Sequence, residues 1–468
     1  MLRKAPLLMF LPLIFFSCQK NTLSENYTLR FSADTIYFDT VFATIGSVTK
    51  ELRVKNAEKQ KIIIDEIYLA GGNKSQFRLN IDGEPAYSRQ NVEIDAGDSV
   101  FIFVDVNVNP ANQDSPVAVT DSVMFRTAGN TYKVHLLAWG QNINLIENKV
   151  IGSQTWRGVK PYVIYGNVLI DTLQTLTIEA GSRIYFHRNS SMTVAGSFVV
   201  QGSQDSMVTF AGDRLEKMYD DIPGQWLGFS LLNVSSGNKI SHALIKNSIN
   251  GVSLGESVSN GLSPDLEILN SSILHSTVSC LSAIHGKITA ANCIFSHTGK
   301  YCISLVSGGD YSFTFCTVYD LWDYGFRLTP SVYVYEQGQS GGGYPGQVNL
   351  ALNNCAIYGD MISELDIVPA GNSFTGNYFI DHCLLKLDTL HASFWSDEIF
   401  PGAIVNKDPR FIDPADYDFR PDTLSPLIGN GNPLYSTEYP FDYRGESRTR
   451  DSRPDIGAFE RIPGEHAK

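Results

Sequence analysis

Three residues with acid–base side chains recur at nearly constant spacing in the second half of the chain. His275 and His297 are 22 residues apart, and Asp320 follows 23 residues after His297. Imidazole and carboxylate groups are common general acids and bases. If residues at this spacing lie above one another, they form a strip at a turn, which predicts the catalytic site of a polysaccharide lyase or a glycoside hydrolase. A strip of solvated turn residues without catalytic function is the alternative.

Aromatic and cationic side chains close to this strip are candidates for ligand binding. Aromatic rings can stack on sugar rings, and a guanidinium group can neutralise negative charge. An insertion between Cys316 and Cys355 contains Tyr333, Tyr335, Tyr344 and the glycine run 341–343, and it is predicted to be a flexible loop. A plain surface loop is the alternative. The candidates are Trp322, Tyr324, Arg327, Tyr333, Tyr335 and Tyr344.

The elements that would position these residues follow from a repeat of small side chains. Small residues that recur along the chain form two series, here called columns. Members of the first column are separated by steps of 23, 22, 23, 39 and 28 residues, and Cys280, Cys302 and Gly325 form the second column at steps of 22 and 23. A coil of three short strands needs a little over twenty residues, so stacked coils are predicted, with free buried cysteines inside or, alternatively, disulfides between neighbours. The first column contains Ser248, Ser271, Cys293, Cys316, Cys355 and Cys383. A turn ladder of amides is predicted at Asn247, Asn270, Asn292 and Asn354.

Several segments of this region carry a family resemblance. Residues 176–182 (LTIEAGS) and 223–228 (PGQWLG) resemble segments of bacterial lipoproteins of the right-handed parallel β-helix family. Residues 425–429, 442–445 and 454–460 resemble the closing motif of such helices. The resemblance implies a β-helix over residues 150–425 and a closing segment over 426–462, whose charged residues are predicted to form ion pairs that cover the last coil. It implies little about activity, because the family includes lyases, hydrolases and adhesins.

The preceding region has the pattern of a second, smaller β-domain. Apolar residues alternate at Ile62, Ile64, Ile67 and Leu69, and turn residues separate about seven short strands over residues 29–145. Residues 38–42 and 96–99 resemble the immunoglobulin-like modules that precede β-helices in Bacteroidetes-type lipoproteins. The predicted fold class is therefore all-β, with an N-terminal immunoglobulin-like β-sandwich followed by a right-handed parallel β-helix.

The N-terminus predicts export and lipidation. Arg3 and Lys4 precede an apolar run, and Ser17 precedes Cys18, which resembles the lipobox of bacterial lipoproteins. This implies a signal peptide at residues 1–17, a lipid on Cys18 that anchors the chain in a membrane, and a tether over residues 18–28. The predicted location is the cell envelope, as an outer-membrane lipoprotein facing either side. An ordinary cleaved signal peptide is the alternative.

Charge limits the partners of the mature chain. The formal charge is −13, and removal of Arg3 and Lys4 with the signal peptide makes it −15. A nucleic-acid partner is not expected because phosphate binding needs a basic surface. No cofactor and no metal site are predicted, although the acidic residues 213–221 keep cation binding open. The leading hypothesis is an envelope protein whose elongated surface binds a polysaccharide or an envelope protein; a polysaccharide lyase or glycoside hydrolase and a purely structural protein are the alternatives.

Overall fold

A computed structural model describes residues 27–464 except 112, 256–262, 337–346, 370, 372, 389–398 and 451. The chain forms two compact units, Met1–Asn142 and Ile143–Lys468, and both are built from strands. Four short 3₁₀ helices are described, at Gly72–Lys74, Lys217–Tyr219, Pro414–Asp416 and Pro433–Thr437. Within the described residues, no helix is long and apolar enough to cross a membrane.

The first unit contains two five-stranded sheets that share one apolar core. The predicted alternation is confirmed at Ile62, Ile64, Ile67 and Leu69, whose side chains are all buried. The described strands, β1 to β10, are Leu29–Phe31, Thr35–Phe42, Lys50–Asn56, Ile62–Leu69, Phe77–Ile81, Glu84–Pro85, Ser88–Ile94, Ser99–Val106, Val117–Thr127 and Asn130–Gln141. The sheet orders are β1-β3-β8-β5-β6 and β2-β10-β9-β4-β7, with β2 parallel to β10.

The second unit consists mainly of two long parallel sheets, one of 18 strands and one of nine. From β13 (Tyr162–Ile170) to β33 (Ala356–Gly359), each strand pairs in parallel with the strand three positions further along the chain, so β24 (Ser272–Ser276) pairs with β27 (Ile294–Thr298). This arrangement of three-strand coils is consistent with the predicted β-helix. Strands β11 to β25 are Asn144–Ile151, Gln154–Trp156, Tyr162–Ile170, Thr175–Glu179, Arg183–Phe186, Ser191–Val194, Ser197–Gln201, Val208–Gly212, Gly228–Leu231, Asn238–Ser241, Ala243–Lys246, Asn250–Leu254, Asp265–Leu269, Ser272–Ser276 and Ser279–Ala283. Strands β26 to β39 are Lys287–Ala291, Ile294–Thr298, Tyr301–Val306, Gly309–Thr314, Thr317–Asp320, Val332–Tyr335, Val348–Asn353, Ala356–Gly359, Leu365–Val368, Asn377–Asp381, Leu384–Leu385, Ile404–Val405, Phe411–Asp413 and Asp418–Pro421.

The predicted cysteine column is confirmed for its later members and wrong for Ser248. Ile294 pairs with Thr317 and Thr317 with Ala356, so the residues before them, including Cys293 and Cys316, occupy equivalent positions in successive coils. Ser271 lies opposite Ala243 instead of Ser248, because Leu244 pairs with Ser272. The coil from Ala243 to Ser271 has 28 residues instead of the 22 and 23 of the two coils that follow it, so a constant spacing does not align its residues.

The cysteines of the second unit are free and buried. Burial raises the pKa of the Cys302, Cys316 and Cys383 thiols, which disfavours the reactive thiolate. Their small side chains leave room for the large apolar residues of the same core, such as Phe295 and Phe313. The described cysteines therefore have the predicted role of small apolar core residues, and none of their thiols is exposed.

Backbone conformation explains which residue types occupy the predicted turn ladder. Six residues that each precede a strand of one sheet face have φ between 47° and 53°, in the left-handed region that asparagine tolerates better than most residues. Among the described members of the predicted ladder, one hydrogen bond joins the side-chain amides of successive coils, from Asn292 Nδ2 to Asn270 Oδ1 at 3.0 Å. Asn247 was wrongly assigned to this column, and His242 takes its place. The column is His242, Asn270, Asn292, Phe315, Asn354 and His382.

The C-terminal residues 406–464, here called the strap, pack along the side of the coils. The ion pairs predicted for the charged residues of this segment include that of Arg448 with Glu460. The segment also contacts earlier coils, since the Tyr443 and Ser272 hydroxyls share a hydrogen bond and Ala458 N–H donates to Thr317. Phe419 and Phe459 cover outward apolar side chains of the parallel strands, so the strap holds several coils together.

Arg448 fixes the strap to the coils and is fully buried. Its Nη1 donates to Glu460 Oε1 at 2.8 Å, and its Nη2 donates to Asn292 Oδ1 at 2.9 Å. Its guanidinium lies 3.7 Å from the centroid of the Phe315 ring. The same side chain thus pairs within the strap and contacts two successive coils.

Replacement of Arg448 by Met should destabilise the second unit strongly. The substitution leaves the buried Glu460 carboxylate without its cation, which typically costs about 3–5 kcal/mol. Urea unfolding monitored by tryptophan fluorescence measures the change in the free energy of unfolding.

The matched control is Arg450→Met. Arg450 is partly exposed and pairs with Glu446 at 3.5 Å, so its loss should cost less than about 1 kcal/mol. Equal effects of the two substitutions would contradict the role assigned to Arg448.

Candidate functional site

The three acid–base residues predicted from spacing do lie in one column. Leu274 pairs with Ser296, and Ser296 pairs with Tyr319, so His275, His297 and Asp320 follow equivalent positions at the ends of β24, β27 and β30. The centroids of the two imidazole rings are 5.0 Å apart. The sequence therefore located this column correctly.

The column is nevertheless closed to solvent. The exposed fractions are 3% for His275, 5% for His297 and 0% for Asp320. Tyr417 of the strap packs against both imidazoles, with centroid distances of 5.1 and 4.8 Å. The expectation of an accessible strip is wrong because the strap covers it. A polysaccharide does not reach these side chains in this arrangement.

Burial keeps both histidines neutral. Loss of solvation lowers the pKa of His275 to about 3, with further contributions from His297 and Lys246. The pKa of His297 falls to about 4 for the same first reason, although Asp323 and Asp221 oppose the shift. His275 Nε2 lies 3.5 Å from Asp221 Oδ1 and has no hydrogen-bond partner among the described residues.

Asp320 belongs to a buried ionic cluster with Arg327 and Glu364. Arg327 donates to Glu364 through Nη1 at 2.8 Å and through Nη2 at 2.6 Å, while its Nε lies 3.5 Å from Asp320 Oδ2. Asp320 also accepts from Thr298 N–H and Oγ1, at 2.7 and 2.6 Å. Burial raises the pKa of Asp320 to about 6 despite the lowering effects of Arg327 and Thr298. The three side chains are buried and bond to one another or to neighbouring residues, which is the geometry of a structural ion cluster.

Arg327 is therefore not the surface ligand-binding residue that the sequence predicted. Its side chain is 4% exposed, and Nη1 and Nη2 donate to Glu364 and to the backbone carbonyls of Thr329 and Asp320. It anchors the loop between β30 and β31, which leaves Phe326 97% exposed and Leu328 84% exposed on either side of it. Glu364, its main partner, could not be found from sequence because it belongs to the following coil.

The aromatic residues predicted to bind a ligand lie in different parts of the second unit. Trp322 and Tyr324 lie in the anchored loop with ring centroids 5.4 Å apart, and the Tyr324 hydroxyl donates to Asp221 O at 3.2 Å. Tyr333 and Tyr335 were wrongly placed in a flexible loop; they belong to β31, with nearly parallel rings 6.4 Å apart. Tyr344, like Cys18, lies outside the described residues.

A groove that the sequence analysis missed lies on the outer face of the nine-stranded sheet. It has a volume of about 320 Å³ and crosses β26, β29, β32 and β35. The register Lys287–Asp310–Asn349–Asn377 forms one outward column, and Thr289–Ser312–Ala351–Phe379 forms the next. Asp265, Lys287 and Asp310 are spaced by 22 and 23 residues, so the same periodicity could have located the first column.

Hydrogen bonds hold the polar column of the groove in place. Asn349 Nδ2 donates to Asp310 Oδ1 at 2.7 Å, and Asn377 Nδ2 donates to Asn349 Oδ1 at 2.8 Å. Phe379, in the neighbouring column, is 46% exposed. The groove thus combines ordered polar groups with an accessible aromatic ring, as small-molecule and sugar sites commonly do.

The described residues contain no group of three or more His, Cys, Asp or Glu arranged to hold a metal ion. The acidic segment before Trp226 has other contacts. Asp213 bonds to His187 Nδ1 at 2.7 Å, and Asp220 pairs with Lys246. These contacts give the acidic residues partners within the protein.

No protein family and no curated protein matches the sequence. A family 123 glycoside hydrolase from Clostridium perfringens is 7% identical, with 28% of this chain and 31% of that one covered and a TM-score of 0.19. The catalytic unit of the family 87 α-1,3-glucanase of Streptomyces thermodiastaticus strain HF3-3 is 10% identical, with coverage of 71% and 73% and a TM-score of 0.31. The CsuC–CsuE pre-assembly complex of Acinetobacter baumannii pili is 16% identical, with coverage of 24% and 52% and a TM-score of 0.15.

All three TM-scores are below 0.5. The chain also covers only 31% of the family 123 enzyme. Fold and groove by themselves define an all-β protein with long parallel sheets and an outward polar–aromatic surface.

The buried histidines should make the free energy of unfolding depend on pH. The unfolded chain binds protons below about pH 6.5, whereas the folded pKa values of His275 and His297 are about 3 and 4. Their contribution is therefore fully present above pH 6.5 and is lost as pH falls towards the folded values. Each histidine should remove up to about 1.4 kcal/mol per pH unit in that window.

The double variant His275→Asn, His297→Asn should lose this part of the pH dependence. Asparagine suits the left-handed backbone at both positions, where φ is 54° and 56°. Urea unfolding at several pH values from 7 to 4.5 measures the slope, with the exposed His135→Asn as control. An unchanged slope in the double variant would show that these histidines titrate normally.

Proposed function

We propose that this chain is a non-catalytic, glycan-binding protein of the bacterial cell envelope. The observation that carries the proposal is the groove on β26, β29, β32 and β35, where an ordered amide–carboxylate column lies beside the exposed Phe379 ring. Sugars present hydroxyl groups at their edges and C–H groups on their faces. The polar column suits the edges, and the phenyl ring suits a face.

Binding fits the groove better than hydrolysis does. Glycoside hydrolases typically need two carboxyl groups on either side of the scissile bond. Asp310 is the one carboxylate among the described residues that line the groove. The column of His275, His297 and Asp320, the earlier catalytic candidate, is covered by the strap.

The envelope location and the finer fold are part of the proposal. The basic residues and apolar run before Cys18 support a signal peptide over residues 1–17, lipidation of Cys18 and a tether over 18–28. Two five-stranded sheets that share one apolar core, with β2 parallel to β10 at the edge of one of them, support an immunoglobulin-like domain. The three-strand coils support a right-handed β-helix, because parallel crossovers are almost always right-handed.

Replacement of Phe379 by Ala should weaken glycan binding at least tenfold, or by about 1.4 kcal/mol. The change removes the stacking surface and leaves the polar column intact. A glycan array identifies the ligands, and isothermal titration with a purified oligosaccharide then measures the dissociation constant.

Phe101→Ala is the matched control, because Phe101 is 40% exposed in β8 of the first unit. Its dissociation constant should equal that of the parent protein. If no polysaccharide binds to the parent protein, the proposed function is wrong.

Replacement of Cys18 by Ala should move the protein from the membrane fraction to the soluble fraction of a bacterial host. The substitution removes the thiol that would carry the lipid. Incorporation of a labelled fatty acid measures lipidation directly, and Gln19→Ala should incorporate as much label as the parent chain. Label retained by Cys18→Ala would refute lipidation at this residue.

A further inference from the structure

The order of the hydrogen bonds in the groove indicates what kind of sugar chain it accepts. A carboxylate only accepts hydrogen bonds, so Asn349 must turn its Nδ2 towards Asp310 and its Oδ1 towards Asn377. Each amide in this column therefore donates in the same direction. This series of hydrogen bonds ends at Asp310, which brings a charged acceptor into the groove.

The charges around Asp310 do not favour an anionic ligand. Among the described lining residues, Lys287 is the one cation, and it lies opposite Asp310 in the register. Asp265 lies opposite Lys287 on its other side. Asp265, Lys287 and Asp310 together carry a formal charge of −1, and Asp310 is the carboxylate of this column that lines the groove. A uronate or sulfate group placed beside Asp310 would be repelled by its carboxylate.

The neighbouring column provides a floor of small side chains. Thr289, Ser312 and Ala351 occupy successive strands, and Phe379 follows at the end. Strands in a sheet lie about 4.8 Å apart, so four of them extend for roughly 14 Å. The two hydroxyl groups can donate to or accept from sugar hydroxyls without adding charge.

We infer that the groove binds a neutral polysaccharide and discriminates against uronic-acid and sulfated chains. The inference rests on the proposed glycan-binding function and assigns its ligand class. Asp310 accepts a sugar hydroxyl in a charge-assisted hydrogen bond, and the Phe379 ring stacks on a sugar face. Selectivity arises because the same carboxylate repels an anionic sugar.

Affinity electrophoresis with matched polysaccharides tests the inference. The neutral probes are mannan, xylan and a linear β-glucan, and the anionic probes are polygalacturonate and chondroitin sulfate. At least one neutral chain should bind at least tenfold more tightly than either anionic chain at low salt. The preference should shrink as salt is added, since screening weakens repulsion.

Asp310→Asn tests the cause of the discrimination. Asparagine has nearly the same shape and still accepts the Asn349 hydrogen bond, so the column is retained. The ratio of neutral to anionic affinity should fall at least threefold. Asp366→Asn removes the same charge from β34, on the other long sheet, and should leave the ratio unchanged. Urea midpoints equal to that of the parent protein confirm that both variants are folded.

Different outcomes would overturn the neutral ligand class and the proposed glycan-binding function. An anionic chain that binds as tightly as every neutral chain overturns the ligand class and leaves glycan binding in place. Neutral binding that is insensitive to Phe379→Ala places the site elsewhere and also overturns the inference. If none of the five probes binds and a glycan array is also negative, the proposed function itself is wrong.

Discussion

Parallel hydrogen bonding between equivalent strands of successive coils is the constraint on which the second unit depends. A short strand of four to six residues cannot bury its own backbone groups, but a partner above and a partner below satisfy them. This pairing also places equivalent side chains over one another. The cysteines, the left-handed turn residues, the buried histidines and the groove residues are all columns produced by the same register.

The strap closes one of these columns to solvent. Without it, His275 and His297 would lie at an outer turn, where their side chains could meet a ligand. Tyr417 and the surrounding strap residues instead bury them, and the loss of solvation keeps them neutral. Arg448 explains how a segment with so many charges can lie against the coils, because its guanidinium is paired with Glu460 and stacked on Phe315.

Two kinds of charged side chain thus coexist in the second unit. Arg327 and Arg448 are buried with carboxylate partners and fix a loop or the strap in position. Asp310 lies in an open groove and is held by an amide. Buried pairs of the first kind are expensive to desolvate and suit structural positions, whereas an accessible carboxylate keeps part of its hydrogen-bonding capacity for a ligand.

The sequence by itself determined the all-β class, the repeat of 22 or 23 residues and the stacking of His275, His297 and Asp320. These follow from local periodicity, because a residue's position in a coil depends mainly on its distance from the previous coil. The same periodicity misplaced Ser248 and Asn247, since one longer coil shifts the register without any signal in the residues themselves.

Only the tertiary structure decided which columns are accessible. Burial of the histidines depends on the strap, whose Tyr417 is 120 residues from His297 along the chain. The pairing of Arg327 with Glu364 likewise joins different coils. The groove could have been located by repeat spacing, but its later strands follow insertions of different lengths. Accessibility is a property of the surfaces that pack together, and spacing within a repeat carries no information about what covers it.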